Sequence, residues 1–361
     1  MHFFIIINML SIIVLSIFLL NFGDSYWKLS YHDLKAIWYL EAFRDLRIRY
    51  PKIRIAVVWS EKWQNSDGTY TDLRIESSPE ALDAYRVGIK NKYFLGKNAL
   101  KFTNYRMDLP DSGCYIGAFA EGGLYEDSVS VGQIKRYEIL EGKPLAFVQF
   151  SLFWGKREIP LRQLRAIKTY GAIPMIQLLP WGKPYTLFTE QPSYSLDNII
   201  AGKFDKYLIE VAQAIKNYRD PVFITFGVEM NGDWFPWSGI FNGGKVTNQY
   251  GDPNFPDGPE RYRDAFRHVV NVFRKVGAQN VIWYFHADAI SEPDEQWNFI
   301  ENYYPGDDYV DWVGISAFGP QSTDDSWFNF SEVMDRVYTY LTGFFPDKPL
   351  MLAEWGVMEK N

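Results

Sequence analysis

Two glutamates stand at the ends of apolar runs. Glu229 follows Val222-Phe-Ile-Thr-Phe-Gly-Val228 and leads into Met230-Asn231-Gly232, then Trp234, Phe235, Pro236 and Trp237. Glu354 follows Leu350-Met-Leu-Ala353 and leads into Trp355-Gly356. A buried strand of a parallel sheet reads as a near-continuous apolar run, and in a barrel of such strands chemistry collects at their C-terminal ends. Paired carboxyl groups there could divide the hydrolysis of a glycosidic bond. One would protonate the leaving oxygen while the other attacks the anomeric carbon or activates water. Such chemistry needs no cofactor.

Aromatic residues cluster near the same strand ends. Trp181, Trp234, Trp237 and Trp355 lie at or just past them, where flat rings suit sugar faces as well as ordinary loop packing. Asn231 could hold the loop or a sugar hydroxyl. His286 and Asp288 sit together at another strand end, but a catalytic metal needs a third ligand, so hydrogen bonding is the expectation and no metal site is assigned.

The elements that must position these groups follow from length and pattern. At 361 residues the chain can form a complete (β/α)8 barrel as one domain. Strands are expected near Ile53–Trp59, Tyr115–Phe119, Leu145–Phe153, Ile173–Leu179, Val222–Val228, Val281–His286, Trp312–Ala317 and Leu350–Ala353, most of them followed by a helical stretch. Such alternation means a parallel sheet with crossovers. Gly171 and Gly277 should stop helices over Leu161–Tyr170 and Glu260–Val276, as left-handed caps do. Asp33 and Ser78 are the expected caps of two earlier helices, the second opening with Pro79 at its first position.

Composition narrows the class. A net charge of −7 without a basic tract argues against nucleic-acid partners, which require clustered Lys and Arg. The run His2–Leu20 is almost unbroken in its apolar character, so residues 1–25 are expected to be a signal peptide or a membrane anchor, both open at this length. The protein is accordingly expected to be secreted or membrane-anchored outside the cell, as a monomer. Cys114 is the single cysteine; it rules out an internal disulfide and is expected to be buried in a strand.

The segment Glu229-Met-Asn-Gly with Trp234 and Trp237 resembles the acid/base segment of glycoside hydrolase family 26, and Glu354-Trp-Gly resembles the nucleophile segment of the retaining clan that contains it. In that clan the acid/base ends the fourth strand and the nucleophile the seventh. Counted from Cys114, Glu229 and Glu354 end the fourth and the seventh. The resemblance implies a TIM barrel, Glu229 as acid/base, Glu354 as nucleophile, and substrate contacts from Asn231, Trp181, Trp234, Trp237, Trp355, Phe318 and His286. It also implies that the clan's eighth strand, with its Trp, lies first in this chain. Residues 26–97 would supply the last helix-strand-helix unit and 98–361 strands one to seven, through circular permutation or a cut across a tandem array.

Two positions depart from the family pattern. Val228 stands where the family usually has His, and Phe318 where it commonly has Tyr. The implied activity is endo-acting, retaining β-glycoside hydrolysis of a polysaccharide, with β-1,4-mannan first, β-1,3/1,4-glucan or β-1,3-xylan as alternatives, and a catalytically weakened carbohydrate-binding barrel as the reading from another class.

Overall fold

A computed structural model describes residues 34–359 except 66, 121–125 and 323. The expected signal or anchor over 1–25 and the cap at Asp33 lie outside the described residues. No described helix is long and apolar enough to cross a membrane.

Eight parallel strands close into a barrel: β1 Ile53–Ser60, β2 Cys114–Ala120, β3 Phe147–Phe153, β4 Ile173–Leu179, β5 Val222–Phe226, β6 Val281–Asp288, β7 Trp312–Phe318 and β8 Leu350–Gly356. Around them run α1 Leu34–Ile48, α2 Pro79–Ile89, α3 Val131–Glu141, α4 Leu161–Tyr170, α5 Asp205–Tyr218, α6 Asp257–Val276 and α7 Phe330–Phe344. Closure is made by β1. It pairs with β8 from Ile53 opposite Leu350 to Val58 opposite Trp355, and with β2 from Ile55 opposite Tyr115 to Ser60 opposite Ala120. The N-terminal unit therefore fills the position expected of it between the first and last strands of the rest.

Alternation along each strand sorts side chains between the barrel interior and the helix layer. The lower interior is apolar, with Ile55, Tyr115, Phe147, Phe223, Trp312 and Met351 in one cluster. Higher up the same inward positions carry Gln149, Ser151, Gln177, Thr225, His286 and Ser316, all buried. Burying polar side chains is unfavourable unless they find partners, so this layer marks where the barrel stops being core and becomes site. Cys114 faces outward, fully buried, and burial pushes its thiol pKa well up, as expected of an inert core cysteine.

The expected helix signals hold. Gly171 and Gly277 end α4 and α6 at φ +93° and +81°. Ser78 caps α2, its Oγ accepting from Ala81 N at 3.1 Å. Ser78→Ala should lower stability by about 1 kcal/mol, read as a lower urea midpoint at unchanged slope.

Strand ends moved where the backbone turns. β5 stops at Phe226, not Val228, because Gly227 adopts φ +56°. A Cβ there would come within 3.0 Å of Trp237, so glycine suits both the turn and the packing. β6, β7 and β8 run on to Asp288, Phe318 and Gly356.

Candidate active site

Glu354 owes its direction to an irregularity. In β8, Met351 and Ala353 face the interior cluster while Leu350 and Leu352 face the helices; strict alternation would send Glu354 outward and Trp355 inward. The pairing shifts instead: Ile315 lies opposite Leu352, but the next residue, Ser316, lies opposite Glu354. This one-residue bulge at Ala353 inverts the facing of everything after it. Glu354 thus enters the barrel, where the side-chain amides of Gln149 (3.3 Å) and Gln177 both donate to its Oε1.

Glu229 reaches the same interior from a turn. Its φ is +55°, a left-handed conformation that costs a non-glycine residue about 1–2 kcal/mol. Hydrogen bonds hold it there: Glu229 N donates to His286 O at 2.8 Å, and Gly232 N to Glu229 O at 3.0 Å. Trp234 Nε1 donates to Glu229 Oε2 at 2.8 Å, and Ser316 also hydrogen-bonds the carboxyl. Backbone strain of this kind concentrates at functional positions.

Glu229 and Glu354 both resist ionisation. Burial raises both pKa values, and the charge of Glu229 raises that of Glu354 further. Asp288 is pushed up in the same way, by burial first and then by Glu229. Burial in low dielectric favours the protonated form of a carboxyl, and a general acid must carry a proton. Tyr284 extends into the interior nearby, and its hydroxyl pKa is raised by burial and by the charge of Glu354.

Several expected substrate contacts are corrected. Trp355, 1% exposed, is turned outward by the bulge and stacks on Trp38 at 5.8 Å among Tyr39, Phe43 and Tyr85; it is a core residue. Trp237 is 0% exposed, stacks on Phe235 at 4.5 Å and donates its Nε1 to Val228 O at 2.7 Å. Trp181, 6% exposed, is packed among Phe153, Phe235 and Trp237. None of the three offers a ring face to a sugar.

Asn231 is also structural. Its Nδ2 donates to Asp288 O (3.0 Å) and Ser291 Oγ (3.2 Å), while its Oδ1 accepts from Asp288 N (2.9 Å), which leaves both amide hydrogens engaged. His286 lies fully buried beneath the site, with Nε2 2.9 Å from Ser316 Oγ. Burial holds its pKa down to about 3, so it is neutral, and Nε2–H can donate to Ser316 while Ser316 donates to Glu229. It supports the carboxyl from behind instead of meeting substrate. Trp234, half-buried and bonded to Glu229, stays at the site, as does Phe318, which packs against the Trp59–Phe119 pair stacked at 3.8 Å.

Val228 is 3% exposed within the large apolar cluster that includes Trp181 and Trp237. The residue that departs from the family pattern here is thus a packed apolar side chain. Val228→His should destabilise by about 1–3 kcal/mol through overpacking and lower the melting temperature without raising turnover. Phe318→Tyr, on the half-open interior face, is the replacement that could add a donor.

Four residues were not singled out in the sequence: Gln149, Ser151, Gln177 and Glu126. The first three had a signal, since each is a polar interruption at an inward position of an otherwise apolar strand. Glu126 had none, because it sits in the loop after β2.

A closed parallel barrel whose C-terminal mouth gathers buried carboxyls belongs to the class of (β/α)8 barrels with an acid–base site. Residues 183–351 match the model of glycosyl hydrolase family 26. It is 31% identical over 255 residues to endoglucanase H of Acetivibrio thermocellus, covering 69% of this chain and 25% of the relative. It is 25% identical over 162 residues to beta-1,3-xylanase TXYA of Vibrio sp, covering 44% and 28%. It is 28% identical over 131 residues to mannan endo-1,4-beta-mannosidase A and B of Caldalkalibacillus mannanilyticus, covering 36% and 21%. The chain thus spans between about a fifth and three-tenths of the length of these relatives.

Proposed function

We propose that the protein is an endo-acting, retaining β-glycoside hydrolase, with β-1,4-mannan as its first substrate. The observation that carries this reading is the pair Glu229, from the turn after β5, and Glu354, from β8, brought into one buried site where the charge of Glu229 opposes ionisation of Glu354. Glu354, held by two amide donors, attacks the anomeric carbon while Glu229 protonates the leaving oxygen. Glu229 then takes a proton from water as that water displaces Glu354 from the glycosyl-enzyme. The indole of Trp234 orients Glu229.

A β-glucan is the second reading, favoured by the 31% identity to a protein named endoglucanase H. The same proposal takes the order of the strands as a circular permutation, and the apolar run before residue 26 as the segment that carries a monomeric enzyme out of the cell or anchors it there. Reducing-sugar release from mannan, mixed-linkage β-glucan and β-1,3-xylan, measured beside binding isotherms on the same polymers, tests the activity. Hydrolysis of one polymer supports it; binding without release would identify a carbohydrate-binding barrel.

A further inference from the structure

A third glutamate faces the two already described, and nothing in the proposed mechanism uses it. Glu126 is pinned to β3 at two points: its carbonyl accepts from Ser151 N at 2.9 Å, and its Oε2 lies 2.7 Å from Ser151 Oγ. Ser151 Oγ also lies 3.0 Å from Gln177 Oε1. Gln177 Nε2 in turn donates to Glu354 Oε1. These contacts form one line, from Glu126 through Ser151 and Gln177 to Glu354.

The line is short of one hydrogen if Glu126 is ionised. A carboxylate only accepts, and so does an amide oxygen, while a serine hydroxyl has a single hydrogen to give. Ser151 can therefore satisfy Glu126 or Gln177 but not both. Turning the Gln177 amide over does not help, since its oxygen would then face the Glu354 carboxylate. A proton on Glu126 completes the line: Glu126 donates to Ser151, Ser151 to Gln177 Oε1, and Gln177 Nε2 to Glu354. Leaving a buried acceptor without a partner is unfavourable.

We propose that Glu126 is a positioning residue for Glu354, fixing the Gln177 amide through the Ser151 hydroxyl so that an N–H, and not a carbonyl, meets the carboxylate. The surroundings agree with a protonated Glu126. Burial, opposed in part by Ser151 and aided by the charge of Glu229, moves its pKa up to about 7. The other charged groups facing it are Glu354 and the adjoining Asp127, whose carboxylate is met by Lys156. At pH below about 7 the line is complete; as pH rises, Glu126 ionises, Ser151 turns to it, and Gln177 is no longer held.

This inference rests on Glu354 acting as the nucleophile, so the test reads that step and the line separately. Trapping by 2-deoxy-2-fluoro-β-mannobiosyl or -cellobiosyl fluoride depends on the nucleophile and not on an acid, because fluoride leaves without protonation. The wild-type trapping rate should fall about fivefold as pH rises through neutrality, the worth of one neutral hydrogen bond. Glu126→Gln, a permanent donor to Ser151, should hold the upper rate at every pH. Glu126→Ala and Ser151→Ala should sit at the lower rate at every pH.

In parallel, 13C-carboxyl NMR of glutamate-labelled full-length protein should show one carboxyl titrating near pH 7 that is missing in Glu126→Gln. A glutamine variant that keeps the wild-type pH step, or behaves like the alanine variant, would overturn the proposal. So would spectra with no near-neutral carboxyl. Failure of both fluorides to label, with the titration intact, would instead count against the hydrolase reading and leave the proton on Glu126 standing.

Discussion

Replacing Glu229 by Ala should leave a protein that still opens a glycoside carrying an activated aryl leaving group but cannot finish the reaction. Such a group departs without a proton, so attack by Glu354 survives, while the water of the second step has lost its base. A glycosyl-enzyme should accumulate on Glu354, visible as an added mass in intact-protein spectra. On polysaccharide, where the leaving oxygen needs its proton, turnover should drop by about 10²–10⁴-fold. Azide, small and already anionic, should restore turnover with the aryl substrate and yield the β-glycosyl azide, because two displacements retain configuration. Glu354→Ala should form no covalent intermediate, and azide should there give the α product by a single displacement. Obtaining the α-azide from the Glu229 variant would reverse the two roles.

Removal of residues 34–95 should abolish cooperative folding altogether. β1 hydrogen-bonds to β8 on one side and β2 on the other, so its loss opens the barrel and bares two parallel strand edges, which proteins avoid exposing. Ile55 and Val57 leave the interior cluster with it. α1 leaves too, and with it Trp38, Tyr39 and Phe43, the rings that enclose Trp355. Expression of residues 96–361 should give insoluble protein, or soluble protein without a cooperative melt by circular dichroism. A sharp, reversible transition from that fragment would show that closure by β1 is not needed. Trp38→Ala in the full chain tests the same layer more gently and should cost about 3–5 kcal/mol.

Local chemistry alone determined much of this molecule. Apolar runs ending in Glu229 and Glu354, separated by helix-length segments, implied a parallel barrel with carboxyls at its C-terminal mouth. The resemblance to a clan whose acid/base and nucleophile end the fourth and seventh strands implied that the early strand, expected over Ile53–Trp59, closes it, and β1 does. These features were legible because each depends on residues a few positions apart, within one strand or one helix cap.

What the tertiary structure alone decided lies beyond that range. Period-two reasoning assumes unbroken register, and the bulge at Ala353 breaks it: Glu354 turns inward, and Trp355 becomes core instead of a sugar platform. Trp181 and Trp237 were ambiguous because an aromatic ring near a strand end is equally good packing material, and only their neighbours show which use was made of them. Asn231 and His286 became supports once their partners, Ser291 and Ser316, were seen beside them. Glu126 carried no pattern at all, since a loop residue obeys no period; its closeness to Ser151 and to the charges of Glu229 and Glu354 exists only because the closed barrel brings the ends of β2, β3, β5 and β8 around one space.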